Sequence, residues 1–177
     1  MIPERLAALR EKMRAYGVDA YLVPTADYHE SEYVGTYFKA RTYITGFTGS
    51  AGTAVITQDE ACLWTDGRYF VQAAKELAGT GVTLMKMGQE GVPTVEEYLA
   101  ANTKEGMTIG FDGRVVNEML GEALEKTLPE RFLSYRSDLI GEIWSDRPAL
   151  SAEPCGSLMQ NIPVNPLRSV LQKYAKR

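Results

Sequence analysis

Two apolar runs constrain this chain more than any other feature in it. Gly52-Thr-Ala-Val-Ile-Thr57 and Ala61-Cys-Leu-Trp-Thr65 carry β-branched and aromatic residues and are separated only by Gln58, Asp59 and Glu60. A parallel connection needs a crossover of about a dozen residues, so these runs can pair only as an antiparallel hairpin. Further along the chain the rhythm changes. Strand Val82-Thr-Leu-Met-Lys-Met87, a helix from Thr94 to about Ala101, strand Met107-Thr-Ile-Gly-Phe111, a helix from about Val115 to Leu128 and a short strand Phe132-Leu-Ser-Tyr135 alternate. Such alternation suits parallel strands with covering helices. The expected class is α/β with a mixed β-sheet covered by helices.

Ahead of the hairpin, Leu6, Leu9, Met13 and Tyr16 recur at helical spacing and Gly17 supplies a stop, which predicts an amphipathic helix over 5–16. Asp19-Ala-Tyr-Leu-Val-Pro24 reads as a buried strand. A polar stretch with Asp27, His29, Glu30 and Glu32 then leads through Tyr33, Tyr37 and Phe38 to Thr42-Tyr-Ile-Thr-Gly46, whose β-branched residues predict another strand. Phe47 and Ile44 are expected in the core, while Tyr33 and Tyr37 suit either core or interface. After the hairpin, Asp66 is placed to cap a helix from Gly67 to about Leu77, with Arg68 in its first turn. A last short helix is expected over 138–144. Beyond Asp146-Arg147-Pro148, Pro154, Gly156, Pro163 and Pro166 interrupt regular structure. The reading is a folded domain over 1–148 and a linker, or the start of a following domain, over 149–177. Leu167, Val170, Leu171 and Tyr174 suit one apolar helix face or a frayed tail.

Composition excludes several function classes. With 19 basic and 23 acidic residues the formal charge is −4 and no like-charge run stands out, which argues against nucleic acid or an anionic membrane as main partner. No apolar stretch has signal-peptide character or membrane-span length, so a cytoplasmic location is expected. Cys62 and Cys155 have no metal-ligand or redox spacing and read as reduced thiols.

Candidate chemistry is sparse. A hydrolytic two-metal site needs several convergent carboxylates and usually a histidine, and this chain offers His29 alone. Asp27-x-His29-Glu30-x-Glu32 places alternate residues on one face, but without partners from elsewhere it reads as a solvated acidic turn, so no metal site and no catalytic residue is expected. Gly46, Gly49 and Gly52 lack the endings of nucleotide loops and are expected to form tight turns. Ser50 misses the Gly-x-Ser-x-Gly nucleophile pattern by one position. Arg68 is the strongest candidate for a ligand contact, because a guanidinium fork suits a peptide carbonyl or carboxylate. Alternatively it pairs with Asp66 and pins the turn.

Trp64-Thr-Asp-Gly-Arg-Tyr-Phe70, preceded by Gly46-Phe-Thr-Gly-Ser-Ala-Gly-Thr-Ala-Val-Ile-Thr57 and Asp27-Tyr-His-Glu-Ser-Glu-Tyr33, resembles the creatinase/prolidase N-terminal domain of cytosolic Xaa-Pro aminopeptidases. Thr83-Leu-Met-Lys-Met-Gly88 and Ile143-Trp-Ser-Asp-Arg-Pro148 extend the likeness over about residues 4–148. The resemblance implies a ribonuclease-H-like mixed-sheet domain that precedes a second domain and a catalytic "pita-bread" metallopeptidase domain. That catalytic domain would hold two divalent ions, commonly manganese, on ligands absent from this chain. It further implies removal of an N-terminal residue that precedes proline, a homodimer, and a substrate contact by Arg68, with His29 and Asp27 near the cleft or a subunit contact. A stand-alone binding or regulatory module on the same fold, or the N-domain of a prolidase or creatinase, is the competing reading.

Overall fold

The computed structural model describes residues 1–135 and 138–152. In chain order the elements are α1 (Ile2–Tyr16), β1 (Ala20–Pro24), α2 (Ala40–Thr45), β2 (Thr53–Thr57), β3 (Ala61–Thr65), α3 (Phe70–Glu76), β4 (Thr83–Lys86), α4 (Val95–Asn102), β5 (Thr108–Phe111), α5 (Glu118–Thr127), β6 (Phe132–Ser134) and α6 (Leu139–Ile143).

The hairpin forms as expected: β2 and β3 pair antiparallel with Val55 opposite Cys62. β1 joins β2, also antiparallel, with Leu22 opposite Val55. The remaining pairs, β3 with β4, β1 with β5 and β5 with β6, are parallel. The strand order is β4-β3-β2-β1-β5-β6, a mixed sheet compatible with a ribonuclease-H-like arrangement.

Alternation along the strands divides the core between two faces. Tyr21, Val23, Ala54, Ile56 and Leu63 pack under α1, α2, α3 and α6 together with Leu9, Met13, Ile44 and Phe47. Leu22, Val55, Cys62, Trp64, Ile109 and Phe111 face α4 and α5 through Leu99 and Leu124. Trp64 is 1% exposed, and its indole Nε1 donates to the Pro93 carbonyl at 2.7 Å, so its one polar atom is satisfied inside the layer. Cys62 is a buried free thiol, and burial raises its pKa. Glycine is required at 110 because a Cβ there would lie 2.8 Å from Val18 Cγ1.

Helix ends follow local chemistry. Gly17 closes α1 in the left-handed conformation, with φ of 65°. Thr94 and Glu97 form a capping box on α4, Asn117 caps α5 and Asp138 caps α6. Asp66 caps a 3₁₀ turn over Gly67–Tyr69 that leads into α3, so the helix expected from Gly67 has a tighter first turn.

One element departs from expectation. Thr42-Tyr-Ile-Thr-Gly46 lies in and after helix α2, not in a strand. Tertiary packing outweighs β propensity here. Ile44 is fully buried, Thr45 Oγ1 donates to the Arg41 carbonyl at 2.8 Å, and Gly46 ends the helix with φ of 82°. Cys155 and the apolar set Leu167, Val170, Leu171 and Tyr174 lie outside the described residues, as does most of the 149–177 segment.

Candidate functional site

The carboxyl ends of β1 and β3 and the amino end of β2 meet at one end of the strands. Carboxyl ends of strands are where open α/β sheets form ligand crevices. A cleft of about 300 Å³ opens there, lined by Thr25, Ser31, Glu32, Ser50, Thr53 and Arg68 among others. Hydroxyls surround one carboxylate and one guanidinium, a set able to accept and donate hydrogen bonds to an extended polar ligand. An apolar cavity of about 310 Å³ adjoins it at Thr53 and is floored by Leu22, Trp64 and Leu120. Its walls are mostly hydrocarbon, so the directing groups belong to the cleft.

Arg68 reaches this cleft from the turn after β3. Its Nε and Nη2 each donate to Asp66 at 2.8 Å, and its backbone N–H donates to Asp66 Oδ1 at 3.0 Å. The guanidinium holds the Asp66 carboxyl down at about 2 and is itself held above its ordinary value by the carboxylate. Of the two sequence-level alternatives for Arg68, the structure shows the pairing with Asp66. The side chain pins the turn and remains 66% exposed, with Nη1 not engaged by Asp66.

The other candidates have different surroundings. Asp27 is 8% exposed, and its Oδ1 accepts the N–H groups of His29 at 2.8 Å and Ser31 at 3.0 Å. The Ser31 hydrogen bond leads in holding the Asp27 carboxyl below its ordinary value, against the effect of burial. Asp27 thus folds the 27–31 turn instead of presenting a free carboxylate. Its neighbour Glu30 sits at φ of 55°, in the left-handed region, and accepts a hydrogen bond from Asn117. His29 stands exposed on the same turn, outside the cleft-lining set. Tyr33 projects 75% exposed, whereas Tyr37 is half-buried. Among the described residues no group of three or more His, Cys, Asp or Glu is gathered to hold a metal ion.

Arg41 is the residue that sequence reasoning missed. It is 3% exposed, and among the described residues no carboxylate is in hydrogen-bond contact with it. Nε donates to Thr25 Oγ1 at 2.6 Å, Nη1 to the Phe47 carbonyl at 3.0 Å and Nη2 to the Gly49 carbonyl, while the Phe47 ring lies 4.8 Å away. Burial pulls this guanidinium down to about 10, which leaves it protonated at neutral pH. One buried cation thereby ties the cleft floor at Thr25 to the glycine-rich loop over 46–52. Within that loop a Cβ at Gly49 would lie 2.3 Å from Phe47 Cζ, and one at Gly52 2.8 Å from the Trp64 carbonyl. Gly49 and Gly52 thus serve close packing and Gly46 ends helix α2, where the sequence led us to expect tight turns between strands. Ser50 Oγ is hydrogen-bonded to the Tyr69 hydroxyl at 2.7 Å, at the cleft wall.

A second signal was present in the sequence. Asp112-Gly-Arg114 repeats Asp66-Gly-Arg68 and stands at the carboxyl end of β5. Arg114 makes the same fork on Asp112 and extends one further hydrogen bond, 2.8 Å, to Asp138.

Residues 5–143 match the model of the creatinase/prolidase N-terminal domain. Aminopeptidase P2 of Arabidopsis thaliana is 41% identical over 152 residues, covering 82% of this chain and 21% of that protein. A probable Xaa-Pro aminopeptidase P of Talaromyces marneffei is 45% identical over 150 residues, covering 82% of this chain and 23% of its own length. The crystal structure of X-prolyl aminopeptidase from Caenorhabditis elegans, described as a cytosolic enzyme with a di-nuclear active site, superposes with a TM-score of 0.80 at 37% identity. That match covers 87% of this chain and 27% of the nematode chain. This chain therefore spans roughly a quarter or less of the length of these relatives.

Proposed function

Because this chain belongs to the creatinase/prolidase N-terminal domain family, we propose that it is a non-catalytic, substrate-shaping and assembly domain of a metal-dependent Xaa-Pro aminopeptidase. The domain extends to about residue 148, and the catalytic region lies beyond it. One observation carries the reading: in a chain whose relatives are Xaa-Pro aminopeptidases, Arg68 is fixed by Asp66 and exposed over a polar cleft. The guanidinium contacts a carbonyl or carboxylate of a peptide that carries proline at its second position. Asp27 acts by folding the 27–31 turn, and His29 stands on the outer side of that turn.

The metal pair is assigned to the catalytic region, which the di-nuclear active site of the much longer nematode relative supports. Manganese is the expected metal, and a cytoplasmic homodimer the expected assembly. The description of the nematode relative as cytosolic and di-nuclear supports the location and the metal pair alone.

Two experiments test the reading. The purified 177-residue chain, given manganese and an Xaa-Pro peptide, releases no N-terminal residue; turnover would sink the non-catalytic assignment. A chimera in which this chain replaces the matching region of the nematode enzyme cleaves the same peptide. A folded, metal-loaded chimera without activity would count against a shared role.

A further inference from the structure

Ile143-Trp-Ser-Asp-Arg-Pro148 contributes to the family resemblance yet contributes nothing to the lining of the cleft. The surroundings of Arg147 give that stretch a purpose. Its side chain is only 12% exposed. Nη1 bonds Asp138 Oδ2, Nε donates to the Tyr37 carbonyl at 2.9 Å, and the guanidinium lies 3.9 Å from the Tyr37 ring centroid. Asp138 Oδ2 also accepts Arg114 Nη2 at 2.8 Å, so one carboxylate oxygen collects two cations. Its Oδ1 is meanwhile held by the Gly141 amide, 2.8 Å away, at the start of α6.

The cations seat opposite ends of one segment. Arg114 lies 5.9 Å from the Tyr28 ring, Arg147 lies against Tyr37, and both tyrosines pack edge-on against Phe38. Between Tyr28 and Tyr37 the chain carries Ser31 and Glu32 to the cleft. Space around the joint is tight: a Cβ at Gly141 would fall 2.7 Å from both Arg147 Nη1 and Asp138 Oδ2, so an added methyl would displace the side-chain ends that meet there.

We propose that Asp138 and Arg147 are positioning residues, which through Arg114 and Tyr37 hold segment 27–38 in place and set Ser31 and Glu32 at the mouth of the Arg68 cleft. The consequence for peptide handling rests on the function proposed above. The mechanical link does not.

Amide exchange followed by NMR on the 177-residue chain tests the link. Asp138→Asn keeps an oxygen to cap α6 but removes the charge that collects the two guanidiniums. Arg147→Lys keeps the charge but loses the planar fork shared between Asp138 and Tyr37. In Asp138→Asn the His29 and Ser31 amides, both bonded to Asp27, exchange about tenfold faster or more, while Leu22 and Val55 in the sheet are unchanged. Arg147→Lys gives a smaller increase at the same two amides. Unchanged His29 and Ser31 rates in folded variants would overturn the proposal, as would equal acceleration across the sheet, which reports only global destabilisation. Should Asp138→Asn fail to fold, Arg147→Lys decides by the same criterion. Because the readout needs no turnover, an inactive chimera counts against the peptidase reading and leaves this result untouched.

Discussion

Asp-Gly-Arg occurs twice in this molecule, at the ends of β3 and β5, and the two copies make the same local bonds. In each, the arginine N–H donates to Oδ1 of the aspartate and the guanidinium fork closes on both carboxylate oxygens. Their surroundings separate them. Around the first, Gly67 has no neighbour closer than 3.9 Å to an added Cβ, and Arg68 faces the cleft. Around the second, an added Cβ at Gly113 would lie 2.8 Å from the Tyr135 carbonyl oxygen, and Arg114 is drawn into the Asp138 joint. One tripeptide yields one turn, and the neighbours decide whether its arginine stays exposed at a cleft or ties segments together.

The largest effect that tests this contrast is steric. Gly113→Ala forces a methyl onto backbone and is expected to cost about 2 kcal/mol in urea unfolding, whereas Gly67→Ala stays within about 0.5 kcal/mol. Equal costs would break the comparison. Next, in the chimera with the nematode enzyme, Arg68→Ala lowers kcat/KM about tenfold, which corresponds to about 1.4 kcal/mol, with little change in melting temperature. An unchanged kcat/KM would assign Arg68 to structure alone. Third, Arg114→Ala costs about 1 kcal/mol of stability, because its partners Asp112 and Asp138 are mostly buried. Arg68→Ala, at an exposed pair, costs less than Arg114→Ala. The reverse order would reassign the two turns.

The smallest effect is a titration. The Arg68 hydrogen bonds hold Asp66 down at about 2, below the ordinary 3.8. A carboxyl depressed by folding adds stability that is present above its unfolded value and lost as pH falls through its folded value. The pair therefore persists at pH 4 and opens with a midpoint at about 2, read from the Asp66 carboxyl carbon shift. A midpoint near pH 4 would remove the pairing, and with it the fixed aim of Arg68.

Legibility followed the same division between local and remote causes. The hairpin, the parallel strands and most caps are written in short-range patterns, since alternation and Asp, Asn or Thr before a helix act within a few residues. The Trp64-to-Phe70 stretch marked Arg68 for the same reason. Helix α2 was not legible, because Thr42, Tyr43, Ile44 and Thr45 look like a strand until the sheet beneath them is known. Arg41 was hidden likewise: an arginine whose three acceptors come from Thr25, Phe47 and Gly49 looks in sequence like any surface cation. The second Asp-Gly-Arg was visible, but its importance lay in Asp138, 26 positions beyond Asp112.

The central strand draws its two neighbours from very different distances along the chain: Leu22 meets Val55 on one side and Phe111 on the other. On a ribosome, β1, β2 and β3 are complete once Thr65 has emerged, but β5 needs 46 further residues to reach Phe111. At synthesis rates of about 5–20 residues per second, one hydrogen-bonding edge of β1 stays open for about 2–9 s. Open edges recruit other strands. A chain that stops short of Phe111 keeps that edge permanently, and its expected fate is strand exchange or aggregation rather than a smaller soluble domain.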